Sequence, residues 1–141
     1  MSVRPKVHRT IAGGLLGTII LVMLMYPVGH LMLGKQMDVI ILLVNMLEIP
    51  AVIGVFLFVF NGVLIFPLIY GFVAFRMLWG SPWIRGLEWG LLLWFIGNLI
   101  IVSTIKGSII YYHPQGVLIF IVSLVGHIIY GSILGAVTDG R

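Results

Sequence analysis

Four apolar runs of membrane-spanning length occupy most of the 141 residues: Thr10 to Leu33, Ala51 to about Phe75, Leu87 to Ile105 and Gly116 to Val137. A helix needs about 20 apolar residues to cross the hydrocarbon, at 1.5 Å rise per residue. Hydrophobic residues make up 61% of the chain and charged ones 9%, against about 25% charged in an average soluble domain. A soluble fold of this size has too little polar surface to hide so much apolar area. The expected fold is therefore an all-α integral membrane domain over residues 1–141, with four transmembrane helices in an up-down bundle.

The segment at residues 38–47 is apolar but too short to cross, and Asp38 and Glu48 flank it. It reads as a short interfacial or re-entrant helix on the outer side, in preference to a fifth span. The first run follows Arg4, Lys6 and Arg9, as a signal peptide would. Its apolar stretch exceeds the usual signal core and no small-residue cleavage site follows, so a retained helix is expected. Pro50 opens the second run where its missing N–H matters little. Pro27 and Pro67 lie inside spans and are expected to bend them.

With the N-terminus inside, Arg4, Lys6, Arg9, Arg76, Arg85 and Arg141 fall on the inner side, and Lys35 and Lys106 on the outer. That bias satisfies the positive-inside rule, so both termini are expected in the cytoplasm, with the chain in the cytoplasmic (inner) membrane. Trp79, Trp83 and Trp89 read as an inner aromatic belt, and Tyr26, Tyr111 and Tyr112 as an outer one. The net charge of +4 resides in basic residues at the ends of apolar runs. That placement indicates lipid contact and topology, and no nucleic-acid partner.

Small residues four apart let helix backbones approach closely in a membrane. Gly13 and Gly17, Gly86 and Gly90, and Gly131 and Gly135 carry that spacing. The third-span stripe continues through Trp94 to Asn98, and the fourth-span stripe runs from Ser123 through His127 to Gly135. These faces are expected to pack internally, or in one case against another subunit.

His127 is the one ionisable residue expected near mid-bilayer, roughly 17 Å from the outer end of its span. Asn61 should share its depth, Asn98 should lie nearer the outside, and Tyr130 follows His127 by almost a turn. A buried polar cluster of Asn61, Asn98, Ser123, His127 and Tyr130 is therefore available. In its plain form His127 is neutral and bonds Asn61 or Ser123, fixing register at about 0.6 kcal/mol per bond. Its sharper forms are a proton-relay step or an axial haem ligand. A bis-histidine haem within the chain is disfavoured, because His30 lies roughly 13 Å nearer the outside and His8 is cytoplasmic. His30 and His113 are weak candidates for an outer metal site, lacking tight ligand spacing. Glu88, three residues after Arg85, is expected to pair with it on the first turn of the third helix. No paired carboxylates, Ser/His/Asp set, phosphate-binding loop or cysteine is present in the sequence. An independent enzyme is not expected, and no cofactor is expected in this chain unless a haem is shared with a partner.

The second and fourth spans share a loose pattern of a mid-depth polar residue followed by Tyr-Gly (Tyr70-Gly71 and Tyr130-Gly131). A duplicated pair of hairpins would produce it. Three stretches, Ser81-Pro82-Trp83-Ile84-Arg85-Gly86-Leu87, Gly90-Leu91-Leu92-Leu93-Trp94 and His127 through Gly135, resemble a family of small, uncharacterised four-helix bacterial membrane proteins. Members of that family have a histidine where Asn61 stands here, a departure that weakens a paired-histidine role for His127. Some relatives occur beside haem-copper oxidase or other respiratory gene sets. The resemblance implies a non-catalytic accessory subunit of a respiratory electron-transport complex, partnered by other integral membrane subunits and by lipids. The alternatives are a small transporter or channel with a polar path through Asn61, Asn98 and His127, and a subunit that contacts a haem or quinone held by its neighbour.

Overall fold

A computed structural model of the chain describes residues 5–33, 39–102 and 116–139. Among the described residues the structure is helical, without strands. Helix α1 is Val7–Leu33, the short α2 is Val39–Leu47, and α3 is Ala51–Met77. Helix α4 is Pro82–Trp94, running on as a π-helical stretch Phe95–Val102, and α5 is Gly116–Asp139. Three of these helices contain stretches long and apolar enough to cross a membrane: Val7–Val28, Ala51–Met77 and Phe120–Thr138. This is the build of a membrane protein.

The helices outrun the apolar runs at several ends. Helix α1 begins at Val7 because backbone hydrogen bonding continues through the polar first turn, where Arg9 and Thr10 donate to the Lys6 carbonyl. Helix α4 begins at Pro82, five residues before the apolar run, with extended Ser81 as its N-cap. Proline suits that position, since the first N–H of a helix has no intrahelical partner. The expected third-span end at Ile105 lies outside the described residues.

Two local stops set the hairpins. Helix α2 ends in a Schellman turn in which the Ile49 N–H reaches back to the Val44 carbonyl and Glu48 takes a left-handed φ of 56°. Pro50 then caps α3, and its carbonyl accepts the Gly54 N–H. Val44 packs directly on Gly54, so α2 folds back against the start of α3. Between α3 and α4 the chain turns at Gly80, whose φ of 100° favours glycine. The Trp79 N–H closes this turn by donating to the Glu88 carboxylate at 3.3 Å.

Helix α3 is not a regular α-helix. It contains π-helical turns at Asn61–Ile65 and Tyr70–Ala74, with Pro67 between them. Proline has no N–H to offer and crowds the preceding turn, which explains a wider ladder beside it. Pro27, by contrast, is accommodated inside an unbroken α1.

Packing follows the small residues. Gly14 of α1 meets Pro67 and the Gly62 carbonyl of α3, Thr18 faces Gly62, and Thr10 faces Gly71, so α1 and α3 run antiparallel. Gly13 faces Leu134 and Val137, Gly17 faces Tyr130, and Gly126 faces Leu21 and Met25, making α1 and α5 antiparallel as well. Helix α4 also runs antiparallel to α5, with Gly86 meeting Gly131 and Gly135 and Gly90 meeting His127. Tyr70, Ala74, Phe75, Trp89, Leu93, Tyr130 and Leu134 form the buried core where α3, α4 and α5 converge.

Candidate functional site

The α4–α5 contact is a seam of backbone on backbone. A Cβ placed on Gly86 would strike the Gly131 carbonyl, and one on Gly90 the His127 carbonyl. One on Gly131 would strike the Gly86 carbonyl, and one on Gly135 the Pro82 carbonyl. Both glycine pairs are thus occupied within the chain, and neither is free to dock on another subunit. Farther along, the Trp94 indole N–H donates to the Phe120 carbonyl at 3.4 Å, with their rings 4.5 Å apart.

The polar residues lie beside this seam but do not join into one network. His127 Nδ1 is 2.7 Å from the Ser123 carbonyl of its own helix. A carbonyl only accepts, so Nδ1 carries the hydrogen and a neutral ring keeps Nε2 as its basic nitrogen. Asn98 links across the seam by donating to Ser123 Oγ at 3.4 Å, and also donates to the Trp94 carbonyl at 3.2 Å. Asn61 donates to the Leu57 carbonyl of its own helix at 2.7 Å, so it does not serve as the partner of His127. The Tyr130 hydroxyl crosses from α5 to α3 and donates to the Gly62 carbonyl at 2.5 Å.

The two asparagines share a local task that residue type alone did not disclose. Asn61 opens the first π turn of α3, and Asn98 sits in the π stretch that follows Trp94. Each gives its amide to the carbonyl four residues back, Asn61 to Leu57 and Asn98 to Trp94, close to where the α-helix gives way to the π-helix. The Leu57 carbonyl also accepts the Asn61 backbone N–H, so in the apolar span the amide shares an acceptor its own helix already supplies.

Two other expectations are corrected. Arg85 does not pair with Glu88: its guanidinium lies over the Phe75 ring, 4.9 Å from the centroid, while Glu88 holds the Trp79 N–H. The extended backbone at Leu78 and the turn at Gly80 carry Trp79 back over the start of α4, and its N–H takes the carboxylate. Trp89 does not belong to an interfacial belt, for it is only 7% exposed and its ring lies 6.2 Å from that of Tyr70. Trp79 and Trp83 are exposed, as is Tyr26. His30 is exposed near the end of α1, and His113, Tyr111 and Tyr112 lie outside the described residues. No group of three or more His, Asp or Glu side chains that could hold a metal occurs among the described residues.

One surface feature went unnoticed in the sequence. Val52, Val55, Phe56, Val59, Phe60, Val63 and Leu64 line an apolar groove of about 490 Å³ along α3, with no polar lining. Phe56 and Phe60 stack there at 5.3 Å. The three-and-four spacing was legible, but it was taken only as a span.

No curated protein and no solved structure matches the chain. Residues 5–140 match the family of unknown function DUF6789, and the chain belongs to that family.

Proposed function

We propose that this protein is a non-catalytic packing subunit that binds an apolar helix of another integral membrane protein along α3. The antiparallel helices form an up-down bundle across a bacterial or archaeal cytoplasmic membrane. Both termini are cytoplasmic, α2 lies at the outer interface, and the third span continues beyond Val102. The lysine and arginine bias supports this orientation.

The observation that carries the reading is the groove on α3. Its lining repeats every three or four residues for more than three turns, the spacing with which one helix receives another. Helix α3 is also the least enclosed of the three membrane-length helices. The polar-path alternative draws less support, because Asn61, Asn98 and His127 are engaged with carbonyls or with Ser123. The respiratory assignment comes from the family resemblance in the sequence, and the identity of the partner tests it.

The experiment is isolation of the tagged chain from its native membrane in mild detergent, with and without Phe56→Ala and Phe60→Ala together. The wild type is expected to bring down a stoichiometric membrane partner, and the double variant to lose most of it while staying folded. An unchanged partner set in the double variant would sink the α3 assignment. A respiratory oxidase subunit in the wild-type complex supports the respiratory reading, and a self-assembled oligomer alone overturns the accessory-subunit reading.

A further inference from the structure

Helix α3 changes its surroundings at Asn61. On the inner side, Gly62, Pro67, Tyr70, Gly71, Ala74 and Phe75 are all enclosed. On the outer side, Ala51–Phe60 has one enclosed residue, Gly54, and Val44 of α2 is what meets it. The other side chains there are half-buried or exposed, among them Phe56 and Val52. Helix α2 and the outer half of α3 thus pack on each other as a hairpin, residues 39–60, closed by the turn at Glu48 and the Pro50 cap. The joint between this hairpin and the bundle is the π turn Asn61–Ile65. The bundle grips the joint from its inner side, where the Tyr130 hydroxyl donates to the Gly62 carbonyl and Thr18 lies against Gly62.

A hinge inside a membrane cannot leave backbone groups bare, so each N–H at the joint needs an alternative acceptor. This turn supplies them. The Asn61 N–H meets the carbonyls of both Leu57 and Phe58, whereas the Phe66 N–H reaches back five residues to Asn61. Pro67 follows and has no N–H to lose. A bend here exchanges one carbonyl for the next, and sharp helix bends gather at prolines and π turns.

We propose that the hairpin of residues 39–60 is a hinged arm that swings on the Asn61–Ile65 turn while the inner bundle stays closed. A bend of about 20°, the size of a sharp kink, carries Ile53 about 4 Å, since it stands roughly 12 Å along the helix from Asn61. The apolar groove straddles the joint: Val52, Val55, Phe56, Val59 and Phe60 ride on the arm, and Val63 and Leu64 lie in the turn. Swinging the arm therefore reshapes the groove, a consequence that bears on the α3 reading, whereas the hinge stands without it.

The test is spin-label distance measurement on the full chain in lipid nanodiscs. The sequence contains no cysteine, so only introduced labels report. Ile53→Cys with Ile121→Cys spans the joint, from the arm to α5 beside buried Val122. Ile69→Cys with Ile121→Cys keeps the same α5 label and moves the other to the inner side of the turn. All three sites are exposed, and none lines the groove. The Ile53 pair is expected to give a distribution about 4 Å wider than the Ile69 pair, or two peaks that far apart. Pro67→Ala restores an N–H next to the turn, and should narrow the Ile53 distribution toward that of Ile69. Equal widths for the two pairs would overturn the hinge whether or not the Pro67 variant folds. An Ile53 distribution left as broad in folded Pro67→Ala would overturn the role of this turn. Phe56→Ala with Phe60→Ala should leave both widths unchanged, so the hinge and the partner proposed for α3 can fail separately.

Discussion

The α4–α5 seam and the outer face of α3 are both built from residues that a hydropathy scale rates as membrane-compatible, yet they do opposite things. At the seam the side chains are removed, and Gly86, Gly90, Gly131 and Gly135 bring two backbones into contact. On α3 the side chains are large, and Val52, Phe56, Val59 and Phe60 stand away from the rest of the chain. Lipid tails are as apolar as leucine, so apolar character alone does not decide which face turns inward. Close approach does, through dispersion contacts and bonds such as Tyr130 to Gly62.

Substitutions that add or remove atoms should separate the two regions. Gly86→Leu or Gly131→Leu puts a side chain where the facing backbone already lies, and should cost roughly 3 kcal/mol or more. Detergent-denaturant unfolding followed by helical signal would show it; a midpoint matching wild type would mean the seam is not as close as described. Tyr130→Phe removes the bond to Gly62 while leaving the ring, at a cost of about 0.6–1.7 kcal/mol in the same assay. Val59→Ala on α3 should stay within about 0.5 kcal/mol of wild type, because that side chain contributes little to the chain's own core. Gly97→Ala sharpens the contrast within α4 itself. Gly97 has nothing within 4 Å of its Cβ position, so the change should be neutral or raise stability by less than about 1 kcal/mol.

Much of this could be read directly from the sequence. The apolar runs located α1, α3 and α5, and four-residue glycine spacing pointed to the residues that now face each other. Such spacing is visible because helical geometry maps it onto one face. The partner of each face was not visible, since nothing in Gly13 or Gly17 shows that α5 covers it, or that neighbouring Gly14 turns to α3. The polar cluster was legible as residues but not as bonds. His127 was expected to bond Asn61 or Ser123; it meets the Ser123 carbonyl, while the Asn61 amide bonds the Leu57 carbonyl of its own helix. Trp89 followed the average behaviour of tryptophan near a helix end, and only the convergence of Tyr70, Tyr130 and Leu134 puts it inside. The groove on α3 gives a lipid-compatible sequence whether lipid or protein covers it.

The π turns of α3 also change how this helix counts. Its enclosed residues include Gly62 and Pro67, five residues apart across the first wide turn where a regular helix would repeat at three or four, and then Tyr70, Gly71, Ala74 and Phe75 around the second. Each wide turn holds a residue of slack, so α3 behaves as though it had absorbed insertions without moving the contacts on either side. Removing one residue from within 63–66 should let that turn close to α-helical spacing with Gly62 and the proline still facing α1. The same deletion in the regular stretch Ala51–Phe60 would rotate everything upstream of it by most of a third of a turn and turn the apolar groove away from whatever it meets.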